Sequence, residues 1–242
     1  MNATVAQLTA RSLLGGRRVL LLTGLPVVLL VLAAIARGLA GENEDITVGL
    51  LGGFALATLV PLLGLIAGTG AIGPEIDDGS IVYLLSKPLS RFSIATTKVA
   101  VAVAVIAVFA ALPTLLAGLI LSGTAGGLAG AYALGALAAG IAYGALFLLL
   151  AVITRHAVVV GLLYALIWEG LVGSFVPGAQ TLSIQQWALA ISVQVLGHRA
   201  GQLNVDSAVG LGAAIPLLLV IIVGCPWFAG RRLRSLRLTS DD

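Results

Sequence analysis

Charge is scarce in this chain: of 242 residues, 10% are Asp, Glu, Lys or Arg, against 60% hydrophobic. A soluble domain carries about a quarter charged residues, because its surface must face water. That shortage, with a mean hydropathy of +1.13, excludes an ordinary water-soluble globule. A single cysteine, Cys225, allows no internal disulfide and offers no thiol partner for a metal. There is no Gly-x-x-x-x-Gly-Lys-Ser/Thr and no His-Glu-x-x-His, so neither a P-loop nor a zincin helix is encoded. Two histidines, His156 and His198, fall in different loops, on what the topology below makes opposite faces of a membrane. A net charge of +3 could suggest an anionic partner, but the charges are clustered and their positions report topology; no nucleic-acid partner is expected.

What the chain has in abundance is long apolar runs. A membrane-spanning helix needs about 20 apolar residues, and six such stretches can be cut: Val19–Ala36, one within Ile46–Pro74, two between Lys98 and Arg155, one at Ala157–Phe175, and one within Ser207–Gly230. The turn between the third and fourth is expected at Ser122–Gly127, whose glycines break a helix. The runs are continuous rather than alternating, which excludes a β-barrel. Lipid supplies no partner for an open strand edge, so helices are required. The first run exceeds the ~7–15 apolar residues of a signal peptide and reads as a span. The expected class is therefore all-α, a polytopic membrane protein with six transmembrane helices.

Basic residues set the direction. Arg11, Arg17, Arg18, Lys87, Arg91, Lys98, Arg155, Arg231, Arg232, Arg234 and Arg237 fall on one side; only Arg37 and Arg199 fall on the other, with Glu42, Glu44, Asp45 and Asp206. By the positive-inside rule both termini are expected in the cytoplasm. Residues 1–18 then form an N-terminal cytoplasmic segment, 19–230 the six-helix domain, and 231–242 a basic cytoplasmic tail.

Three non-membrane stretches are informative. Residues 1–18 read either as an interfacial helix with its arginines toward lipid headgroups or as a frayed tail. The segment 73–98 opens with Glu75, Asp77 and Asp78, continues through an apolar stripe of Ile81, Leu84 and Leu85, and ends at Lys87-Pro88 and Arg91. It reads either as a short helix with an apolar face that needs a docking partner or as a solvated loop. The external stretch 176–206 places Ile184, Trp187, Ile191 and Val195 at helical spacing, as in an interfacial or re-entrant helix anchored by Trp187. Glu169 is the one acid inside a span, about 18 Å along its helix from Ala157. It is either a pathway or gate residue, with Trp168 beside it, or a hydrogen-bonded packing residue. Four prolines, Pro26, Pro61, Pro113 and Pro216, are expected to kink their spans. Pairs Gly49/Gly53, Gly64/Gly68 and Gly140/Gly144 have the small-xxx-small spacing that lets helices approach closely.

The segment from Glu75 to Arg91 resembles the permeases of type-2 ABC exporters. The resemblance rests on Asp77, Asp78, Gly79, Ser80, Leu84, Leu85, Ser86, Pro88, Ser90 and Arg91, and on Leu166-Ile-Trp-Glu-Gly170 with Pro177-Gly178 and Leu182-Ser183. Together with the six spans it covers essentially the whole chain and looks most like bacterial, actinobacterial members. It implies a permease subunit in the bacterial cytoplasmic membrane, paired with a second copy or a paralogue in the surrounding lipid. Two copies of a separate ABC ATPase subunit would drive it. ATP and Mg would be held by that partner, with no cofactor in this chain. The resemblance also makes residues 1–18 an elbow helix and 73–98 a coupling loop. Glu75, Asp77, Asp78, Gly79, Ile81, Leu84, Leu85, Pro88 and Arg91 would face the ATPase there. The other readings to be weighed are a membrane-embedded enzyme, which needs clustered reactive side chains at one depth, and an assembly protein without transport.

Overall fold

The computed structural model describes residues 3–78, 91–124, 126–172, 176 and 178–235, and among these every regular element is a helix. Helix α1 spans Ala3–Leu13 and α2 spans Arg17–Ala40. Helix α3 runs through Glu44–Val48, Gly49–Leu59 and Val60–Asp77, and α4 through Arg91–Ile106, Ala107–Ala111 and Leu112–Ser122. Helix α5 spans Leu128–Ile153; α6 joins Ala157–Leu163 to Tyr164–Val172; α7 is Ile184–Leu196, α8 is His198–Gln202 and α9 is Leu211–Ser235.

Among the described residues five helices are long and apolar enough to cross a bilayer: α2, α3, α4, α5 and α9. The expected fifth span, α6, is shorter: its two segments extend about 24 Å at 1.5 Å per residue, under the ~30 Å of a hydrocarbon core. It nevertheless passes from one face to the other, as the contacts between helix ends require. Arg18 reaches the Gly70 carbonyl and Lys98 reaches Thr9, placing the start of α2, the end of α3 and the start of α4 together. At the opposite end, Arg37 donates to the Leu121 carbonyl at 2.9 Å and Arg199 pairs with Glu44 at 2.6 Å. Arg155, after α5, returns to share a cavity with Arg18 and another with Arg232 of α9. The described chain therefore passes six times between the two ends of the bundle, five of the passes by helices long enough to cross a bilayer, with α1 and the end of α9 on one face, here the terminal face; the other is the distal face.

Chain breaks fall where the backbone can make them. Gly41, at φ 67°, closes α2 with its N–H on the Arg37 carbonyl, and the Asn43 side chain caps α3 by accepting from the Ile46 N–H. This is the usual division between a glycine stop and an Asn start. Gly123 and Gly127, both at positive φ, bound the expected turn between α4 and α5. Two of the four span prolines are met by a change of helix type. Gly49–Leu59 and Ala107–Ala111 are wound as π-helix immediately before Val60-Pro61 and Leu112-Pro113. A proline ring clashes with the carbonyl four residues earlier, here Ala57 and Phe109, and the wider turn moves those carbonyls out of register with it.

Helix α5 is the centre of the bundle, packed by α3, α4, α7 and α9. Its approach to α3 is set by glycine. A Cβ on Gly64 would stand 2.6 Å from Tyr143 Cβ, and one on Gly68 would stand 2.7 Å from the Gly144 carbonyl oxygen. Gly49 and Gly53, with the same spacing, face open space. Gly68→Ala is accordingly expected to cost about 1–3 kcal/mol by overpacking. It should lower the thermal unfolding midpoint of the purified protein, whereas Gly53→Ala should leave that midpoint unchanged or slightly raised.

Candidate functional site

Two buried polar clusters lie within the apolar bundle, one near each face. The first is built at the terminal face. Helix α1 turns Val5, Thr9 and Leu13 inward, four residues apart, and leaves Leu8 and Arg11 exposed. It packs on α3 and α4. Lys98, two turns into α4, is fully buried. Its ammonium donates to the Ala71 carbonyl at 2.6 Å, forms an ion pair with Glu75 at 2.7 Å, and reaches Thr9 Oγ1 at 3.5 Å. A lysine has three N–H donors and no acceptor, so these three oxygens match its full donor set. A buried ammonium without such partners would be strongly unfavourable. The cluster therefore joins α1, the last turns of α3 and the first turns of α4 at one point. It does so at both roots of the segment between Asp78 and Arg91.

Of the sequence-derived coupling residues, Glu75 is placed in this cluster and Asp78 is exposed at the end of α3, its N–H on the Pro74 carbonyl. Gly79, Ile81, Leu84, Leu85 and Pro88 lie outside the described residues, as do the side chains of Asp77 and Arg91. Lys98 was legible only as a topology marker, a basic residue at the edge of a span. Thr9 carried no signal.

The second cluster surrounds Glu169, which is fully buried near the distal face. The π-helical half of α6 carries it, and Tyr164 Oη donates to Oε1 at 3.0 Å. Ser183 Oγ donates to Oε2, and the Ile184 N–H donates to Oε1 at 3.1 Å. Ser183 is also the N-cap of α7. The carboxylate thus closes on the first turn of α7, where free N–H groups and the positive end of the helix dipole favour an anion. An aromatic row leads to it: Tyr143 stacks on Phe147 with centroids 5.9 Å apart, and Phe147 meets Tyr164 edge-on at 6.0 Å. Trp168 is half-buried. Ser183 and Tyr164 are partners that sequence reasoning missed, since hydroxyl side chains are too common to single out.

Helix α7 itself lies differently from the expected stripe. Ile184 and Trp187 are buried, but Val195 is exposed and Ser192 is buried in its place. Ser192 Oγ donates to the Ala131 carbonyl at 3.0 Å, in a close approach that Gly135 of α5 permits. Trp187 is not an interfacial anchor. It packs inward, with Nε1 on the Thr181 carbonyl at 2.8 Å, because small residues at 188 and 192 draw this face of α7 onto α5.

These features define a multi-pass helical membrane protein whose buried polar clusters, among the described residues, fasten its helix ends. The family model described as ABC-2 family transporter protein matches residues 3–193, from α1 into α7 and well over half of the chain. The chain belongs to that family of transport permeases. No curated protein matches the chain.

Proposed function

We propose that this chain is the membrane subunit of an ABC exporter, driven by a separate ATPase that holds ATP and Mg. In this reading the terminal face is cytoplasmic, which the positive-inside rule supports, and the membrane is the bacterial cytoplasmic membrane. Two permease chains, identical or paralogous, stand on two ATPase subunits, and substrate passes between the two halves.

The observation that supports this most is the rooting of the 79–90 segment. The described helices before and after it are tied to each other by Lys98 and Glu75 and, through Thr9, to α1. A push on the segment from the cytoplasm would therefore be delivered to three helices at once, as a coupling element requires. The sequence supplies the contact: Ile81, Leu84 and Leu85 as the apolar face, with acids at its start. Each leucine-sized side chain buried on docking contributes roughly 1.5–3 kcal/mol, while the carboxylates add steering and register more than affinity.

Leu84→Asp tests it. A charge forced into an apolar contact costs several kcal/mol, ~2–7 for an unpaired polar group alone. The variant should insert normally, then either lose the ATPase on copurification or keep it without transport. Wild-type transport by Leu84→Asp with the ATPase still bound would show that 73–98 is not the coupling element.

A further inference from the structure

A basic groove opens on the terminal face, separate from both buried clusters. One cavity of about 200 Å³ lies between α2, α3 and the α5–α6 connection, with Arg18, Gly73, Thr154 and Arg155 in its wall. A second, of about 550 Å³, adjoins it through Ala151, Thr154 and Arg155 and extends to Arg232 of α9. No carboxylate lines either cavity among the described residues. Arg18 is half-buried and donates one N–H to the Gly70 carbonyl at 3.4 Å, out of the five N–H groups a guanidinium has. Arg155 is exposed on the connection itself, between the two chambers.

We propose that this groove binds the phosphate of an anionic phospholipid, with Arg18 and Arg155 holding the headgroup. Guanidinium groups suit phosphate because their planar fork matches two oxygens at once. Basic pockets between spanning helices at a membrane surface are the usual place for such headgroups. The wall of the groove selects a lipid over a soluble anion. Val158 and Val159 line the smaller cavity and are each 58% exposed, and the exposed row continues up α6 through Leu162, Leu163 and Leu166. That row is an apolar track leading from the guanidiniums into the hydrocarbon, which acyl chains need and a free phosphate does not. At the same end of α9, Arg231 lies 4.5 Å over the Trp227 ring, a pairing typical of the headgroup level, where tryptophan is enriched.

The test uses the full chain purified in mild detergent, with phosphatidylglycerol and phosphatidylcholine of matched acyl chains and bound lipid read by native mass spectrometry. Wild type should retain phosphatidylglycerol in preference to phosphatidylcholine. Arg18→Gln and Arg155→Gln should each reduce that preference roughly five-fold, the worth of one basic group at an anionic surface. Arg11→Gln, on the exposed face of α1 outside the groove, should leave it unchanged. A preference for phosphatidylglycerol in the thermal stabilisation of the wild type provides a readout that needs no variant. Equal retention of the two lipids, or an unchanged preference in Arg155→Gln, would overturn the proposal. Competition by millimolar glycerol phosphate would assign the groove to a soluble anion and overturn it too. So would a loss of ATPase copurification in Arg155→Gln with lipid retention intact, which would make the groove a protein contact.

Discussion

Lys98→Met should produce a permease that reaches the membrane in reduced amount and does not transport. The ammonium it removes is fully buried and faces Glu75 at 2.7 Å. Deleting one member of a buried ion pair typically costs about 3–5 kcal/mol, and the cost here falls toward the lower end because the Glu75 side chain keeps 25% exposure. Much of the marginal stability of a domain is of that order. The neighbouring variant separates stability from coupling. In Lys98→Met/Glu75→Gln both charges are gone, the desolvation penalty goes with them, and folded yield should largely recover. Transport should not recover in step, because α1, α3 and α4 are no longer joined at this point. Yield by fluorescence-detected size exclusion and transport in vesicles would be read side by side. A double variant that regains both yield and full transport would reduce the cluster to a packing feature.

Glu169 gives the second large effect, and the direction depends on which substitution is made. Glu169→Ala should be severe: Tyr164 Oη, Ser183 Oγ and the Ile184 N–H all lose their acceptor, in a site closed to water. A hydrogen bond to a charged group contributes about 1.5–3 kcal/mol, and a buried donor left unsatisfied costs a similar amount. The first turn of α7 should loosen, and limited proteolysis from the distal side should cut between residues 178 and 196. Glu169→Gln keeps an acceptor for Ile184 and Tyr164 and can donate to Ser183 instead. It should fold and transport much as the wild type does. If Glu169→Gln folds normally yet changes substrate-stimulated ATPase activity, Glu169 meets the substrate and the fastening of α7 is not its main task.

The spans, the turn at 122–127 and the grouping of the helix ends were legible because they rest on properties that act one residue at a time, hydropathy and glycine conformation. The polar clusters rest on pairing across the bundle, which leaves no periodic trace. Lys98 shows the difference. Counting charges treats every lysine as solvated at a membrane edge, and nothing in the order of residues says that this one meets a glutamate 23 positions earlier. Glu169 stood out because an acid within a span is rare, yet its partners are two hydroxyls and a backbone N–H that look ordinary in sequence. Glycine spacing was informative only in part. Gly64 and Gly68 admit α5, whereas Gly49 and Gly53 have the same spacing and nothing opposite them. In α7 a hydrophobicity stripe misjudged the inward face, because tight packing on α5 favoured the small Ser192 over the larger Val195.

The fastenings of the two faces differ in one respect that bears on the surroundings of the protein. On the distal face, beside the buried Glu169 cluster, there are ion pairs in contact with solvent: Arg37 with Glu42, 37% and 68% exposed, and Arg199 with Glu44, 38% and 49% exposed. On the terminal face the tie is Lys98, shut away from water. Dissolved ions screen the first kind of contact within a Debye length of about 8 Å at physiological strength, and hardly reach the second. Rising salt therefore weakens the two exposed pairs of the distal rim while Lys98 and the buried Glu169 cluster keep their grip, so that rim is the part of the protein that its medium can tune.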